Sequence, residues 1–204
     1  MSMKQEKTTA AIGRPREFDT DEALNRAMHV FWRKGYLGTS LSDLTEAMGI
    51  NRPSLYAAFG NKESLFRKAL DRYTNGPSAY VYEALKEPTA RRVVERIMQG
   101  VVDLGTDSRN PPGCLWVHST LSCGDPADPM AQELSAYRAS IEASLCKRFE
   151  QAISEGDLPV DSDPAALARF VLTVNCGMSV LAATGANREE LLQVVETALR
   201  SWPQ

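Results

Sequence analysis

Residues 40–66 read SLSDLTEAMGINRPSLYAAFGNKESLF, and this stretch decides the fold. Two short segments with helical apolar spacing flank the turn GIN, and a third segment begins directly after GNK. Isolated helices this short are marginally stable in water, so they must pack against longer partners. The pattern predicts helices over 41–48 and 52–59, held between a helix over 20–34 and a fourth helix that begins after residue 61.

Residues with a strong preference for helix N-caps precede each of the three segments. Ser40, Asn51 and Asn61 can each accept hydrogen bonds from the unpaired amides of a first helical turn. Pro53 falls in the first turn of its helix, where a missing N–H costs little. Gly49 is typical of a helix C-terminus. These signals predict where each short helix begins and ends.

Two short helices joined by a tight glycine-containing turn form a helix-turn-helix unit. The second helix keeps one face in the core, here Leu55 and Phe59, and offers the other to the major groove of DNA. Arg52 can read guanine or bind phosphate, and Ala57 and Ala58 allow close approach to a base edge or a thymine methyl group. The stretch therefore predicts DNA binding.

Residues 18–66 read FDTDEALNRAMHVFWRKGYLGTSLSDLTEAMGINRPSLYAAFGNKESLF, and they resemble the DNA-binding domain of the TetR family of transcriptional regulators. The resemblance extends over about 14–66 without gaps. It implies DNA contacts at Thr39 or Ser40, Asn51, Arg52, Pro53, Ser54, Tyr56, Ala57, Ala58 and Lys62. Many relatives carry glycine at the position of Pro53 and an aromatic pair at Tyr56 and Ala57, departures that bear on the operator sequence.

A basic arm precedes this domain. Residues 1–17 are polar, and residues 13–16 read GRPR. An extended Gly-Arg-Pro segment is narrow, and arginine is attracted to narrow A·T-rich minor grooves. We expect Arg14 and Arg16 to reach the minor groove or a phosphate; the alternative is a solvated basic tail.

The charge is distributed unevenly along the chain. The whole protein carries a net charge of -3 and a pI of about 5.5, which taken alone argues against a nucleic-acid binder. Residues 1–73 nevertheless hold 12 Lys and Arg against 9 Asp and Glu, while residues 74–204 hold 11 against 17. A basic front part and an acidic rear part indicate two separate tasks.

The remaining sequence predicts helices throughout, for an all-α protein of about nine helices. Proline-rich breaks separate a fourth helix, continuing to about 86, from helices over about 89–104, 113–121, 129–155, 165–183 and 187–202. The predicted domains are the arm over 1–17, a helix-turn-helix domain over 18–66 and a rear domain over 87–204. The resemblance implies that the rear domain is a helical bundle that dimerises and binds an effector.

The last two predicted helices carry more apolar residues than one buried stripe requires. Meeting their copies in a second chain would form a four-helix interface; the alternative is an ordinary monomeric core. A two-fold dimer would read a palindromic operator with half-sites roughly 34–36 Å apart. The predicted interface residues are Phe170, Leu181, Leu191, Val195, Leu199 and Trp202.

Small-molecule sites place a few polar groups among apolar ones. The candidates for an effector pocket on this basis are Cys114, Trp116, His118, Cys123, Tyr137, Asn175 and Met178. Asn175 lies in a very apolar segment and needs a partner, for which an interhelical hydrogen bond is the alternative to a ligand. His118 is more often a satisfied core or surface residue than a ligand contact.

The four cysteines show no metal-type spacing, which favours free thiols in a reducing compartment. Residues 111–117, PPGCLWV, resemble a Gly-Cys-Leu segment in one subgroup of the family. Cys114 near a helix N-terminus would have a lowered thiol pKa, so one hypothesis is that it senses an electrophile or an oxidant. The alternative is a buried, unreactive side chain.

The favoured interpretation is a ligand-responsive regulator, most often a repressor, with double-stranded DNA, a second copy and a small molecule as partners. The alternatives are a Cys114-based sensor, an activator, a Cys114–His118 enzyme or a helical protein-interaction module. Cys114 and His118 could meet on one helix, but no third group to orient them is evident, so we expect no enzyme. We also expect no cofactor and no metal. No apolar run is long enough to span a bilayer, so we expect a cytoplasmic protein.

Overall fold

The computed structural model describes residues 18–123 and 125–203, and helices carry the fold over these ranges. The helices are α1 (Thr20–Gly38), α2 (Leu41–Met48), α3 (Arg52–Phe59), α4 (Lys62–Asn75), α5 (Tyr80–Ala84), α6 (Ala90–Thr106), α7 (Leu115–Ser122), α8 (Pro129–Ser154), α9 (Pro164–Ala183) and α10 (Arg188–Arg200). No strand occurs in the described residues, and the all-α class is confirmed. The short α5 brings the expected nine or so helices to ten.

The three predicted N-caps, Ser40, Asn51 and Asn61, are present. At the first helix the Asp19 carboxylate accepts from two first-turn amides, so Asp19 caps α1. Ser40 and Asp43 form a reciprocal capping box at α2, because each side chain bonds the other residue's backbone amide. The Asn51 side chain accepts from the amide of Ser54 at 2.9 Å at the start of α3. Local capping therefore fixes the helix-turn-helix boundaries.

The predicted extent of the fourth helix is wrong. α4 ends at Asn75 and does not continue to about 86. Gly76 and Pro77 interrupt it, because proline has no N–H to donate and its ring excludes the helical conformation of the residue before it. The chain then turns and resumes as α5, which sets Tyr80 at the start of a separate short helix.

Two apolar cores hold the helices together. The first contains buried residues of α1 to α4 together with Leu115 of α7 and Met130 and Leu134 of α8. The second contains buried residues of α5, α6 and α8 to α10. The long helix α8 belongs to both cores, so the front and rear parts of the chain are packed against each other and not joined only by α4.

The contact between α1 and α7 is unusually close. Gly35 interrupts α1 with a φ of 67°, and a Cβ there would lie 2.5 Å from the Ser122 hydroxyl oxygen. The Trp32 indole donates a hydrogen bond to the Gly113 carbonyl at 3.2 Å. His118 Nδ1 donates to the Trp32 carbonyl at 2.9 Å. Helix α7, which lies within the predicted rear domain, thus packs as part of the front core.

The expectation about membrane-length apolar runs needs a correction. By length and composition α9 could cross a bilayer. Of its most apolar window, 28% is buried within the protomer. Core helices of globular proteins pass the same test. In the fold α9 packs against α6, α8 and α10.

Candidate DNA-binding surface and ligand pocket

The inner face of α3 is anchored in the front core. Leu55 and Phe59 are 0% and 3% exposed, and they fix which side of the helix is buried. Arg52, Tyr56 and Ala57 consequently lie on the exposed side. A short helix held in this way presents a continuous surface to solvent, as a recognition helix requires.

The structure distinguishes between the predicted DNA contacts. Asn51, Arg52, Pro53, Tyr56 and Ala57 are exposed, whereas Ser54 and Ala58 are half-buried at the margin of the same face. Arg14 and Arg16 lie outside the described residues. As DNA contacts all these residues stay predictions.

Of the alternatives Thr39 and Ser40, only Ser40 is exposed. Thr39 is 2% exposed, and its hydroxyl donates to the Gly35 carbonyl at 2.7 Å. The Ser40 hydroxyl in turn donates to the Asp43 carboxylate at 2.8 Å. Thr39 therefore stabilises the kink at Gly35 in α1, and its burial removes it from the surface that DNA can contact.

A network of polar side chains supports the surface around α3. The Arg52 guanidinium donates to the Ser42 hydroxyl at 3.2 Å, which joins the start of α3 to α2. Ser42 is exposed beside Arg52 and was missed in the sequence, where nothing indicated that the two helix starts meet. The Lys34 ammonium donates to the Asp43 carboxylate at 2.6 Å. This bond, with those from Ser40, lowers the pKa of Asp43 to about 2.

Lys62 has a partner other than solvent. Its ammonium lies 4.5 Å from the centre of the Tyr36 ring, in a cation–π contact. Partial burial lowers the pKa of Lys62, and the charge of Asp43 opposes that shift. Lys62 stays a candidate phosphate contact that is held in place at the N-terminus of α4.

A cavity of about 310 Å³ opens among α5 to α9. Four of the seven predicted pocket residues line it: Cys114, Trp116, Tyr137 and Asn175. Its volume lies at the lower end of the range for small-molecule sites. The other lining residues include Ser78, Tyr80, Val81, Ile97, Val101, Leu134, Arg138, Ile141, Leu145, Leu172, Cys176, Ser179 and Val180.

The other three predicted pocket residues lie elsewhere. His118 points at α1, where it is bonded to the Trp32 carbonyl. Cys123 packs against the front core, and Met178 is 1% exposed within the rear core. His118 and Met178 lie on helices that also reach the cavity, but the helical twist turns their side chains away from it, and Cys123 follows α7 as its C-cap residue.

Tyr80 was missed as a cavity residue. Its ring lies against α6 at Gly100, where an added Cβ would be 2.2 Å from a ring carbon. Burial raises the pKa of the Tyr80 hydroxyl well above its usual range. The sequence signal was the Gly76–Pro77 break, which separates α5 from α4 and lets Tyr80 turn toward Gly100.

The expected lowering of the Cys114 pKa is wrong. Cys114 is the N-cap residue of α7, and the amides of Trp116 and Val117 do lower the thiol pKa, as does the neighbouring Tyr73 hydroxyl. Burial outweighs these bonds and raises the pKa of Cys114 above its ordinary value. This environment favours an unreactive thiol.

The predicted dimer residues divide into two groups. Phe170 and Leu181 are 37% and 46% exposed on α9, and Leu199 is half-buried. Leu191, Val195 and Trp202 are 0%, 5% and 3% exposed because they pack into the protomer's own core. These three cannot contribute exposed area to an interface, and their assignment to it is corrected.

A shallow apolar groove runs between α9 and α10 beside Phe170. Val174 and Val194 line it together with the polar Gln193 and Thr197. The exposed side chains of Val180 and Leu181 continue the apolar surface along α9. We call the surface formed by Phe170, Val174, Leu181 and Val194 the α9–α10 face.

Comparison with known proteins follows the same division of the chain. Residues 23–69 match the domain described as bacterial regulatory proteins, tetR family, and residues 88–200 match the Tetracyclin repressor-like C-terminal domain. The chain belongs to the TetR family. It is a DNA-binding transcriptional regulator, as the helix-turn-helix and its exposed recognition helix indicate.

Several TetR-family relatives match over nearly their whole length. The HTH-type transcriptional repressor ComR of Escherichia coli K12 is 36% identical, over 94% of this chain and 92% of that protein. The repressor BdcR of the same organism is 27% identical over 93% of this chain and 91% of that protein. A cysteine mutant of the TetR family regulator CifR, solved with 26-bp double-strand operator DNA, is 45% identical. The match covers 94% of this chain and 100% of CifR, with a TM-score of 0.88.

Proposed function

We propose that this protein is a homodimeric repressor that binds a palindromic operator and is released from it by a small molecule. The observation that carries the proposal is the outer face of α3, where Arg52, Tyr56 and Ala57 are exposed while Leu55 and Phe59 are buried. CifR, solved with operator DNA, and ComR, named as a repressor, support DNA binding and repression.

Dimerisation places two copies of α3 on one operator. The α9–α10 face supports this step, because it exposes apolar side chains that a second copy could cover. Arg14 and Arg16 would add contacts from the arm to the minor groove. Domain boundaries near 66 and 87 fit this division of labour, with α4 and α7 connecting the two parts.

Effector binding in the cavity has a direct route to α4. The Trp116 indole donates a hydrogen bond to the Thr74 hydroxyl at 3.1 Å, in the last turn of α4. Trp116 lines the cavity, and α4 begins beside α3. An effector can shift the protein from its DNA-binding state only by its difference in affinity for the two states. A shift of the Trp116–Thr74 contact would supply such a difference.

Fluorescence anisotropy of DNA from the region upstream of the protein's own gene tests the proposal. We expect sequence-selective binding over scrambled DNA that weakens steeply between two salt concentrations. The double variant Arg52→Ala with Tyr56→Ala should abolish selective binding. Equal affinity for both DNAs would send the search to a random-sequence selection, and failure there would contradict operator binding.

An activator is the second candidate, since the sign of regulation depends on where the operator lies relative to the promoter. We propose no catalytic activity: the one Cys–His pair considered, Cys114 and His118, has its imidazole engaged with the Trp32 carbonyl. We propose a cytoplasmic location, where a regulator of this family meets DNA.

A further inference from the structure

Two of the aromatic side chains that line the cavity are stacked on each other. The Trp116 and Tyr137 rings stack with centres 3.6 Å apart and planes 7° from parallel. The Trp116 indole N–H is fixed by Thr74 at 3.1 Å, and the Tyr137 hydroxyl lies beside those of Thr74 and Tyr82. Fixed rings lose little freedom on binding, so a planar ligand can pack against this pair at a small entropic cost.

Asn175, one of the residues that line the cavity, carries a polar atom without a partner. The Asn175 side-chain oxygen is buried from solvent and accepts no hydrogen bond from the described residues. Asn175 lines the cavity on α9. A buried amide oxygen without a donor is costly, so a ligand that supplies a donor there gains affinity. A hydroxyl suits this position because it can donate to the amide oxygen or accept from the amide nitrogen.

Charge is confined to one margin of the cavity. Among the described lining residues Arg138 is the one ionised side chain, and it is exposed and bonded to the Glu142 carboxylate at 3.4 Å. The remaining walls are mostly aliphatic or aromatic. An ionised group inside would lose its hydration without gaining a partner, so the interior favours an uncharged ligand.

The volume limits the size of the ligand. A cavity of about 150 Å³ accommodates a single benzene ring. The cavity here measures about 310 Å³, roughly twice that volume. It therefore suits a molecule of two fused or linked rings.

We propose that the effector is an uncharged two-ring aromatic molecule with one hydroxyl group, which bonds Asn175 while its rings lie against the Trp116–Tyr137 pair. This inference rests on the proposed function, because it names the chemical class that the same cavity takes. It identifies Asn175 as the residue that selects for the hydroxyl.

Isothermal titration calorimetry of the full chain with three matched probes tests this proposal. The probes are 2-naphthol, naphthalene and 2-naphthoate, which share one ring system and differ in a hydroxyl or a charge. We expect 2-naphthol to bind about tenfold more tightly than naphthalene, because naphthalene leaves Asn175 unpaired. The carboxylate probe should bind more weakly than 2-naphthol.

Replacing Asn175 tests its role directly. Asn175→Leu should bind 2-naphthol no more tightly than naphthalene, with the affinity for naphthalene unchanged or higher. Thr173→Val is the matched control on the same helix, since Thr173 is exposed and donates only to the Arg169 carbonyl. It should keep the tenfold preference of the parent protein.

The wild-type comparison stands without any variant. No binding of 2-naphthol, equal affinity for naphthalene, or tighter binding of 2-naphthoate would each overturn the proposal. Operator binding, measured by anisotropy without ligand on the same preparations, separates the two ideas. If operator DNA is bound and the probes are not discriminated, the ligand class is wrong and the regulator stands. If the probes are discriminated and no DNA is bound, the regulator fails alone.

Discussion

At the residue scale, Arg52 shows how one side chain can serve both the protein and DNA. It stands in the first turn of α3, is exposed, and donates one bond to Ser42 on α2. A guanidinium has five N–H donors, so this bond leaves others free for a base or a phosphate. The bond to Ser42 also limits the directions in which Arg52 can point.

Arg52→Ala should weaken operator binding by roughly 1–3 kcal/mol, about 5- to 150-fold, through loss of a base or phosphate contact. Anisotropy titration of the dimer at fixed salt measures the change. Lys147→Ala is the control, because Lys147 is an exposed cation on α8, away from the helix-turn-helix. Equal losses in both variants would mean that net charge, and not this position, sets the affinity.

Gly100→Ala should destabilise the protein although alanine favours helices. The new Cβ would lie 2.2 Å from the Tyr80 ring, so the ring must move. Overpacking costs about 1–3 kcal/mol, against a gain of about 1 kcal/mol in helix propensity. The difference is a net loss of roughly 0–2 kcal/mol in the free energy of unfolding, measured in urea at one protomer concentration.

Gly38→Ala is the control for that substitution. Its Cβ would meet only Lys34 Cβ at 3.7 Å, an ordinary contact at the exposed end of α1. Its free energy of unfolding should stay within about 0.5 kcal/mol of the parent value. If Gly100→Ala were as stable as the parent protein and bound ligands equally well, the position of the Tyr80 ring would not depend on the absence of a side chain at Gly100.

At the element scale, the junction of α1 and α2 depends on one carboxylate. The Asp43 pKa falls from the ordinary 3.8 to about 2, first because of the Lys34 ammonium and then because of the bonds from Ser40. A lowered pKa means that the stabilisation is present above pH 3.8 and is lost as the pH falls through about 2. The cap therefore keeps its charge at every physiological pH.

Lys34→Met should raise the Asp43 pKa toward 3.8 without reaching it, because the Ser40 amide and hydroxyl still donate. A carboxyl-detected NMR titration of the protein measures this. Lys68→Met, which removes an exposed lysine from α4, should leave the Asp43 midpoint unchanged. An unchanged midpoint in Lys34→Met would show that the capping bonds alone lower the pKa.

The sequence predicts where helices begin and end better than it predicts which side of each helix packs into the core. Caps such as Ser40, Asn51 and Asn61 act within one turn, so their role can be read from neighbouring residues. α10 carries apolar residues on more than one stripe, and nothing local decides which stripe meets the protomer's own core. For that reason the sequence pattern assigns Leu191 and Val195 to a dimer interface, whereas the structure buries them in the protomer's own core.

The candidate pocket shows the same limit. Trp116 and Asn175 could be selected by residue type and polarity, and both do line the cavity. His118 meets the same criteria of residue type and polarity. It lies less than one turn after Trp116 on α7, however, and therefore faces α1 instead of the cavity. The predicted direction of the Cys114 pKa shift is wrong for a related reason. The sequence shows that Cys114 precedes a helix, but it does not show that the thiol is buried.

At the scale of the whole molecule, the α9–α10 face should decide the oligomeric state. Leu181→Glu would place two unpaired charges in one two-fold interface, because the same patch meets its copy. Burying such charges costs several kcal/mol, so the dimer dissociation constant should rise roughly a hundredfold or more. Analytical ultracentrifugation across protein concentrations measures the shift.

Val160→Glu is the control for the interface, because Val160 is 90% exposed in the turn between α8 and α9. This variant should dimerise like the parent protein. If Leu181→Glu sediments as the parent does, the dimer uses another surface. If Leu181→Glu remained dimeric but lost operator binding, that loss would not come from dissociation of the dimer.

The Trp32 indole lies in a dry site at the seam between α1 and α7, bonded to the Gly113 carbonyl and 4.7 Å from the centre of the Tyr73 ring. Indole emission responds to polarity and to loss of a hydrogen bond. With Trp116 and Trp202 exchanged for phenylalanine, Trp32 would be the one tryptophan left in the protein, and it could be excited at wavelengths that tyrosine does not absorb. The intrinsic fluorescence of Trp32 would thus report separation of α1 from α7 without any attached dye.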